Sequence, residues 1–424
     1  MKKNLIVGQS GGPTAAINAS LAGVYRTAID RGAKNVYGML HGIQGLLNER
    51  YIDLSDYIQT ELDSELLKRT PAAFLGSCRY KLPAIHEDMD IYKKIFTLLD
   101  EMDVEAFIYI GGNDSMDTIK KLSDYAIITG HPCRFVGCPK TIDNDLALTD
   151  HTPGFGSAAK YIGTSMKEII RDSYCLEYEN GLVTIVEIMG RDAGWLTGAT
   201  ALAEGEDCDG PDLIYLPEIP FDINNFRERI GKLLMKKRSV VVAVSEGIRD
   251  EEGVYICEQG NIANFVDAFG HKQLSGTAAF LANYIASEIG CKTRAIELST
   301  LQRSASHVSS RVDILEAQQV GGAAVKCADE GDTGKMVVLQ RISDDPYQCG
   351  TEVKDVHKIA NEQKLVPRKW VSKSGTYVTD DFINYVQPLI QGDVAPIMVN
   401  GIPRHLITPK DLSHYSDHER KQSR

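Results

Sequence analysis

The chain predicts an α/β protein built on parallel, doubly wound sheets. Short β-branched apolar runs alternate with amphipathic helical stretches along most of its length, the order that generates βαβ units. Three of these runs end in loops of glycine, proline, hydroxyl and acidic residues, at positions 10–14, 111–115 and 138–145. From Leu182 onward the same succession of strand, polar loop and helix begins again. Ligands of such folds sit beyond the carboxyl ends of the strands, so these loops are the candidate site loops.

The elements follow in order. Residues 4–8 form a strand, Gln9-Ser-Gly-Gly-Pro-Thr14 a loop, and 15–29 a helix with apolar residues at Ile17, Leu21, Val24 and Ala28. The loop reads either as an anion site made of backbone N–H groups or as a plain tight turn. It is neither a P-loop nor G-x-G-x-x-G, because it lacks the lysine and the third glycine in register. Residues 36–40 make a second strand, and 70–81 a loop carrying Arg79 among small residues. A helix over 92–102 leads to a strand at 106–110, then Gly111-Gly-Asn-Asp-Ser115 and a helix from Met116 to Leu122. Strand character returns at 127–129 and 134–137. In the second half, strands are expected at 182–188, 213–216, 239–244, 294–298 and 336–339, and helices at 193–202, 224–237, 276–288 and 311–325. Periodicity weakens from about 345, and the polar tail after Asp411 is expected to be mobile.

The 424 residues allow two or three domains. Apolar content of 43% with 25% charged residues is that of an ordinary soluble globular chain. A net charge of −12 argues against nonspecific nucleic-acid binding and confines any polyanion site to a local basic pocket. Nine cysteines show no C-x-x-C pair and no zinc spacing, the usage of reduced thiols in a cytoplasmic protein. The apolar run after Lys3 is too short for a signal peptide, and no run suits a membrane span. Histidines such as His41, His271 and His307 stand alone and read as structural or surface residues.

The loop Gly137-Cys-Pro-Lys-Thr-Ile-Asp-Asn-Asp145 holds the richest chemistry. A cation, a hydroxyl and two carboxylates at a strand end are what phosphoryl transfer needs for charge neutralisation, positioning and proton acceptance. In Gly111-Gly-Asn-Asp-Ser115 the glycines admit a phosphate close to the backbone, and Asn113 and Asp114 offer oxygen to a hard cation such as Mg2+. With Ser10-Gly-Gly12, Met189-Gly-Arg191, Pro217-Glu-Ile-Pro-Phe221, Ser245-Glu-Gly247 and Leu301-Gln-Arg303 in this order, the sequence resembles the phosphofructokinase family.

That resemblance implies two Rossmann-like doubly wound domains with the active site in the cleft between them. Residues 1–138 with about 255–305 would form the phosphoryl-donor domain, 139–254 with about 306–345 the sugar-phosphate domain, and 346–424 an extension packing on the core. Asp143 would accept the proton of the sugar 1-hydroxyl, Thr141 hold the transferring phosphoryl group, and Gly11 and Gly12 cradle the donor phosphates. Ile142, Met189, Gly190, Arg191, Thr300, Leu301 and Gln302 would lie along the sugar phosphate, with Glu246 on its hydroxyls. Arg303 and Arg294 would grip the 6-phosphate, and Arg79 would bridge the donor and acceptor sides.

Two positions bear on the donor. ATP-dependent members resemble Gly-Gly-Asp-Gly-Ser and Pro-Gly-Thr-Ile-Asp-Asn, whereas this chain has Asp114 and Lys140 where those carry glycine. Pyrophosphate-dependent members carry this Asp and this Lys. A carboxylate at position 114 stands where the α-phosphate of ATP must go; two anions ~4 Å apart repel by ~4 kcal/mol at an effective dielectric of about 20. Lys140 supplies a cation for the leaving phosphate. The resemblance therefore implies phosphoryl transfer from pyrophosphate to fructose 6-phosphate with Mg2+. The alternatives are an ATP-dependent phosphofructokinase, a kinase of another ketose phosphate such as sedoheptulose 7-phosphate, and a non-catalytic sugar-phosphate-binding regulator. Departures from the pattern are Asn113 for the usual metal-binding aspartate, Thr300 for Tyr or His, and Pro13-Thr14 for Asp-Ala. Leu182 stands where tetrameric members carry an arginine reaching the neighbouring subunit, so the expected assembly is a homo-oligomer, with a dimer favoured.

Overall fold

A computed structural model describes residues 1–260 and 274–407; His271 and the tail after Asp411 lie outside them. Eleven strands make the two main sheets: β1 (Asn4–Gln9), β2 (Val36–Met39), β3 (Tyr51–Asp53), β4 (Val104–Gly111), β5 (Arg134–Pro139), β6 (Leu182–Ile188), β7 (Leu213–Tyr215), β8 (Ser239–Ser245), β9 (Lys292–Glu297), β10 (Lys335–Asp344) and β11 (Tyr347–Asp355). The first sheet runs β11-β10-β5-β4-β1-β2-β3, the second β7-β8-β6-β9. Every pairing of the second sheet is parallel. The first is parallel from β2 across to β10, with antiparallel β3 and β11 at its edges.

The central strands are continuous apolar runs because helices cover both faces. On the first sheet the helices Ile17–Asp30 and Arg311–Asp329 cross at glycines. A Cβ on Gly23 would stand 2.1 Å from the Gln318 carbonyl oxygen, and one on Gly321 2.1 Å from that of Ser20.

Two expectations change. The returning segments join the sheets opposite to those expected. β9 pairs with β6 and carries the helix Thr277–Ile289 onto the second sheet, whereas the helix Arg311–Asp329 and β10 pack beside β5 in the first. Apolar pattern specifies a buried strand but not which sheet edge it completes. Residues 127–129 are the last turn of the helix Asn113–Thr129, with Ile127 and Ile128 solvent-exposed, and Gly130 at φ +70° ends it. β-branched residues at a helix terminus mimic a strand pattern. The region after 345 is structured: β11, a short strap over 359–364, and the helix Asp380–Val386. Phe382, Tyr385, Val386 and Leu389 enter the second core beside Trp195. All nine cysteines are free thiols. Among the described residues no helix is long and apolar enough to cross a membrane.

Candidate active site

Loops from the carboxyl ends of both sheets converge on one cleft of about 440 Å3. Its walls hold Arg79, Lys140, Arg191 and Arg303, together with Asp114, Asp143, Asp145, Asp192 and Glu246. Four cations and five carboxylates facing one cavity suit polyanionic ligands accompanied by a countercation.

One side of the cleft, the expected donor side, is built from β1, β4 and β5. Gly11, at φ +78°, lets the chain turn back over the end of β1; a Cβ there would lie 3.2 Å from Lys140 Nζ. Lys140 extends beneath this loop and donates to the Gly12 carbonyl at 2.7 Å. The ammonium is almost wholly buried. Burial is the main cause that lowers its pKa, to about 8; Asp143 and Asp145 oppose the shift, whereas Arg303 and Arg79 add to it. Asp114 lies in the first turn of the helix Asn113–Thr129, where the helix N-terminus favours a negative charge.

The loop after β5 carries the catalytic candidates. Thr141 Oγ1 donates to Asp143 Oδ2 at 3.1 Å and accepts from the Asp143 N–H at 3.2 Å, fixing the carboxylate relative to the hydroxyl. Burial raises the pKa of Asp143, opposed by the Thr141 bond and by Lys140, Arg191 and Arg303. Asp145 is pushed up to about 7, by burial first and by Asp143 next. Between them, Asn144 sits at φ +54° with its buried amide accepting from Thr152 N–H and donating to Tyr385 Oη. The left-handed residue turns the chain so that both flanking carboxylates line the cleft.

The opposite side, the expected acceptor side, comes from β6 and β8. Gly190, at φ +152°, is held by the Ser245 hydroxyl on its carbonyl. Gln302 Oε1 accepts the Met189 N–H at 3.2 Å. Glu246 follows β8, and burial, then Glu187 and Asp143, raise its pKa to about 8. Asp192 pairs with Arg249. Arg303 reaches across to the donor loop: a Cβ on Gly12 would be 3.9 Å from its Nη1.

Gly11, Gly12, Arg79, Asn113, Asp114, Lys140, Thr141, Ile142, Asp143, Met189, Gly190, Arg191, Glu246 and Arg303 thus share one cavity. Gln302 acts behind it, on Met189. Arg294 does not join them: it points away on β9 and pairs with Asp172 at 2.7 Å. Thr300 and Leu301 are exposed and outside the cavity wall. A motif gives a residue's place in the chain, whereas the face it presents depends on strand register. Asn113 is engaged by the strap. Its Oδ1 accepts the Asn361 N–H at 2.6 Å and its amide donates to the Glu362 carbonyl at 2.7 Å. Asp192, Asn361 and Gln363 also line the cleft. The polarity of Asp192 beside the Met189-Gly-Arg191 motif could have flagged it; Asn361 and Gln363 lie in a stretch with no periodic signal.

Residues 4–328 match the phosphofructokinase family. The chain is 41% identical over 405 residues to a pyrophosphate–fructose 6-phosphate 1-phosphotransferase of Xanthomonas campestris, and 40% identical over 404 residues to one of Halomonas elongata; each match covers 95% of both chains. A crystal structure of a pyrophosphate-dependent phosphofructokinase from Marinobacter aquaeolei superposes with a TM-score of 0.84 at 35% identity, again over 95% of each chain. With its strand-end loops meeting in one cleft as the motifs require, the chain belongs to the phosphofructokinase family.

Proposed function

We propose that this chain transfers a phosphoryl group from pyrophosphate to the 1-hydroxyl of fructose 6-phosphate, giving fructose 1,6-bisphosphate and phosphate. The observation that carries the reading is the buried Lys140 ammonium beneath the donor glycine loop, with Asp114 beside it in the same cavity. The names of the relatives point the same way.

In this reading the sugar oxygen attacks one phosphorus of pyrophosphate, the bridging P–O bond breaks, and the second phosphate leaves. Asp143 takes the hydroxyl proton. Its raised pKa makes it a better base near neutrality than an ordinary carboxylate. Thr141 orients that carboxylate and faces the transferring group. Lys140 and Arg79 stabilise charge on the departing phosphate, and Arg191 and Arg303 hold the sugar phosphate. The phosphoanhydride broken and the phosphate ester formed lie close in free energy, so the reaction is expected to run in both directions.

A divalent cation such as Mg2+ fits the donor set. Asp114 and Asp145 supply hard oxygen atoms in the cavity, and such an ion completes its shell with water and substrate phosphate. When bound it neutralises charge on the phosphates. The Asn113 amide is engaged by the strap, its Oδ1 by the Asn361 N–H and its Nδ2 by the Glu362 carbonyl.

A coupled assay comparing pyrophosphate with ATP, and fructose 6-phosphate with sedoheptulose 7-phosphate, tests the reading. Turnover with pyrophosphate and fructose 6-phosphate is expected; robust turnover with ATP and none with pyrophosphate would sink it.

A further inference from the structure

We infer that the strap over residues 359–364 is a second donor-selecting element, narrowing the mouth of the cleft against any donor longer than pyrophosphate. The inference rests on the proposed function and deepens it. A donor with its reacting phosphorus at Asp143 places its second phosphate over Gly11, Gly12 and Lys140. Anything attached beyond that phosphate leaves the cleft past Asp114. Asn361 and Gln363 stand at that rim with Asp114 and Asn113.

The strap is held at both ends. Asn113 grips it with a reciprocal pair, accepting from Asn361 N–H and donating to the Glu362 carbonyl. The Asn361 side chain also reaches Asp117 one turn along the same helix, at 3.4 Å. At the other end Gln363 bridges to Leu146, and Lys364 N–H donates to the Asp145 carbonyl at 2.8 Å. Lys364 Nζ then plugs into the Asp150 carbonyl at 2.6 Å and Asn144 Oδ1 at 3.2 Å. One segment therefore spans from the donor helix to the catalytic loop.

The reciprocal pair also accounts for asparagine at position 113. A carboxylate could accept from Asn361 but could not donate to Glu362, and it would face that carbonyl with a charge. The residue type is the one a latch requires. Asn361 adopts φ +69°, the left-handed region that asparagine and glycine tolerate.

Equilibrium binding of Mg2+-ATP in an Asp114→Gly background tests this without requiring turnover. Adding Asn361→Gly with Gln363→Ala is expected to tighten ATP binding at least ten-fold over Asp114→Gly alone. No gain would overturn the inference. Asn113→Ala in the same background provides the second arm, with hydrogen exchange of residues 359–364 as the structural readout. Faster exchange with tighter ATP binding supports the inference. Faster exchange with unchanged binding, or unchanged exchange, contradicts it. A failure of the pyrophosphate reading itself would show in the wild-type donor assay and not in this comparison.

Discussion

In the proposed mechanism Asp143 and Lys140 carry opposite demands through their protonation. Asp143 works only when ionised, and its raised pKa means that the base form is lost on acidification at a higher pH than for an ordinary carboxylate. Lys140 works only when protonated, and its pKa of about 8 means that the cation is lost above that pH. The pH profile of kcat/KM should therefore be a bell, with an acid limb at higher pH than an ordinary carboxylate gives and an alkaline limb near pH 8. Lys140→Arg, always charged, should abolish the alkaline limb even if it slows the enzyme; a limb that persists would assign it to another group. Asp143→Asn should lower kcat by roughly 10²–10⁴-fold with a much smaller change in sugar-phosphate binding, measured by steady-state kinetics and direct titration. Loss of binding with little loss of kcat would remove Asp143 from the role of base.

At the scale of elements, the loops after β1, β4 and β5 were legible because each follows an apolar run and carries glycine or Asx residues. Strand register was not, and so Arg294 came out on the face that meets Asp172. Nor was the sheet that β9 and β10 would join, because parallel strands leave almost the same apolar signature wherever they pair. The C-terminal strap left no trace in the periodicity, since it is held by backbone hydrogen bonds and a latch and not by an apolar face. Lys364 shows how much such a segment can carry. Half-buried against Trp195, it binds the backbone of residues 149 and 150 and the side chain of Asn144. Lys364→Met keeps much of the volume but leaves those acceptors unsatisfied, at a cost of roughly 1–3 kcal/mol. It should also loosen Asn144 between the two carboxylates and lower kcat about ten-fold, as misplacement of reacting groups does. Urea denaturation and kinetics check both; unchanged kcat with lowered stability would limit Lys364 to a structural role.

At the scale of the molecule, two sheets present the ends of their strands to one cleft, and neither supplies a complete site. The first gives Gly11, Gly12, Asp114, Lys140 and Asp143; the second gives Met189, Arg191 and Glu246. The division agrees with a donor held on one side and a phosphorylated sugar on the other. In the proposed reading the donor is selected by the pair Asp114 and Lys140, which replaces space with a carboxylate and adds a buried cation. The most direct test is the ratio of kcat/KM for pyrophosphate to that for ATP in Asp114→Gly/Lys140→Gly. The ratio should fall by at least two orders of magnitude from wild type, because two opposing interactions of ~1.4 kcal/mol or more are removed together, each worth a factor of ten. A ratio left at its wild-type value would contradict the account.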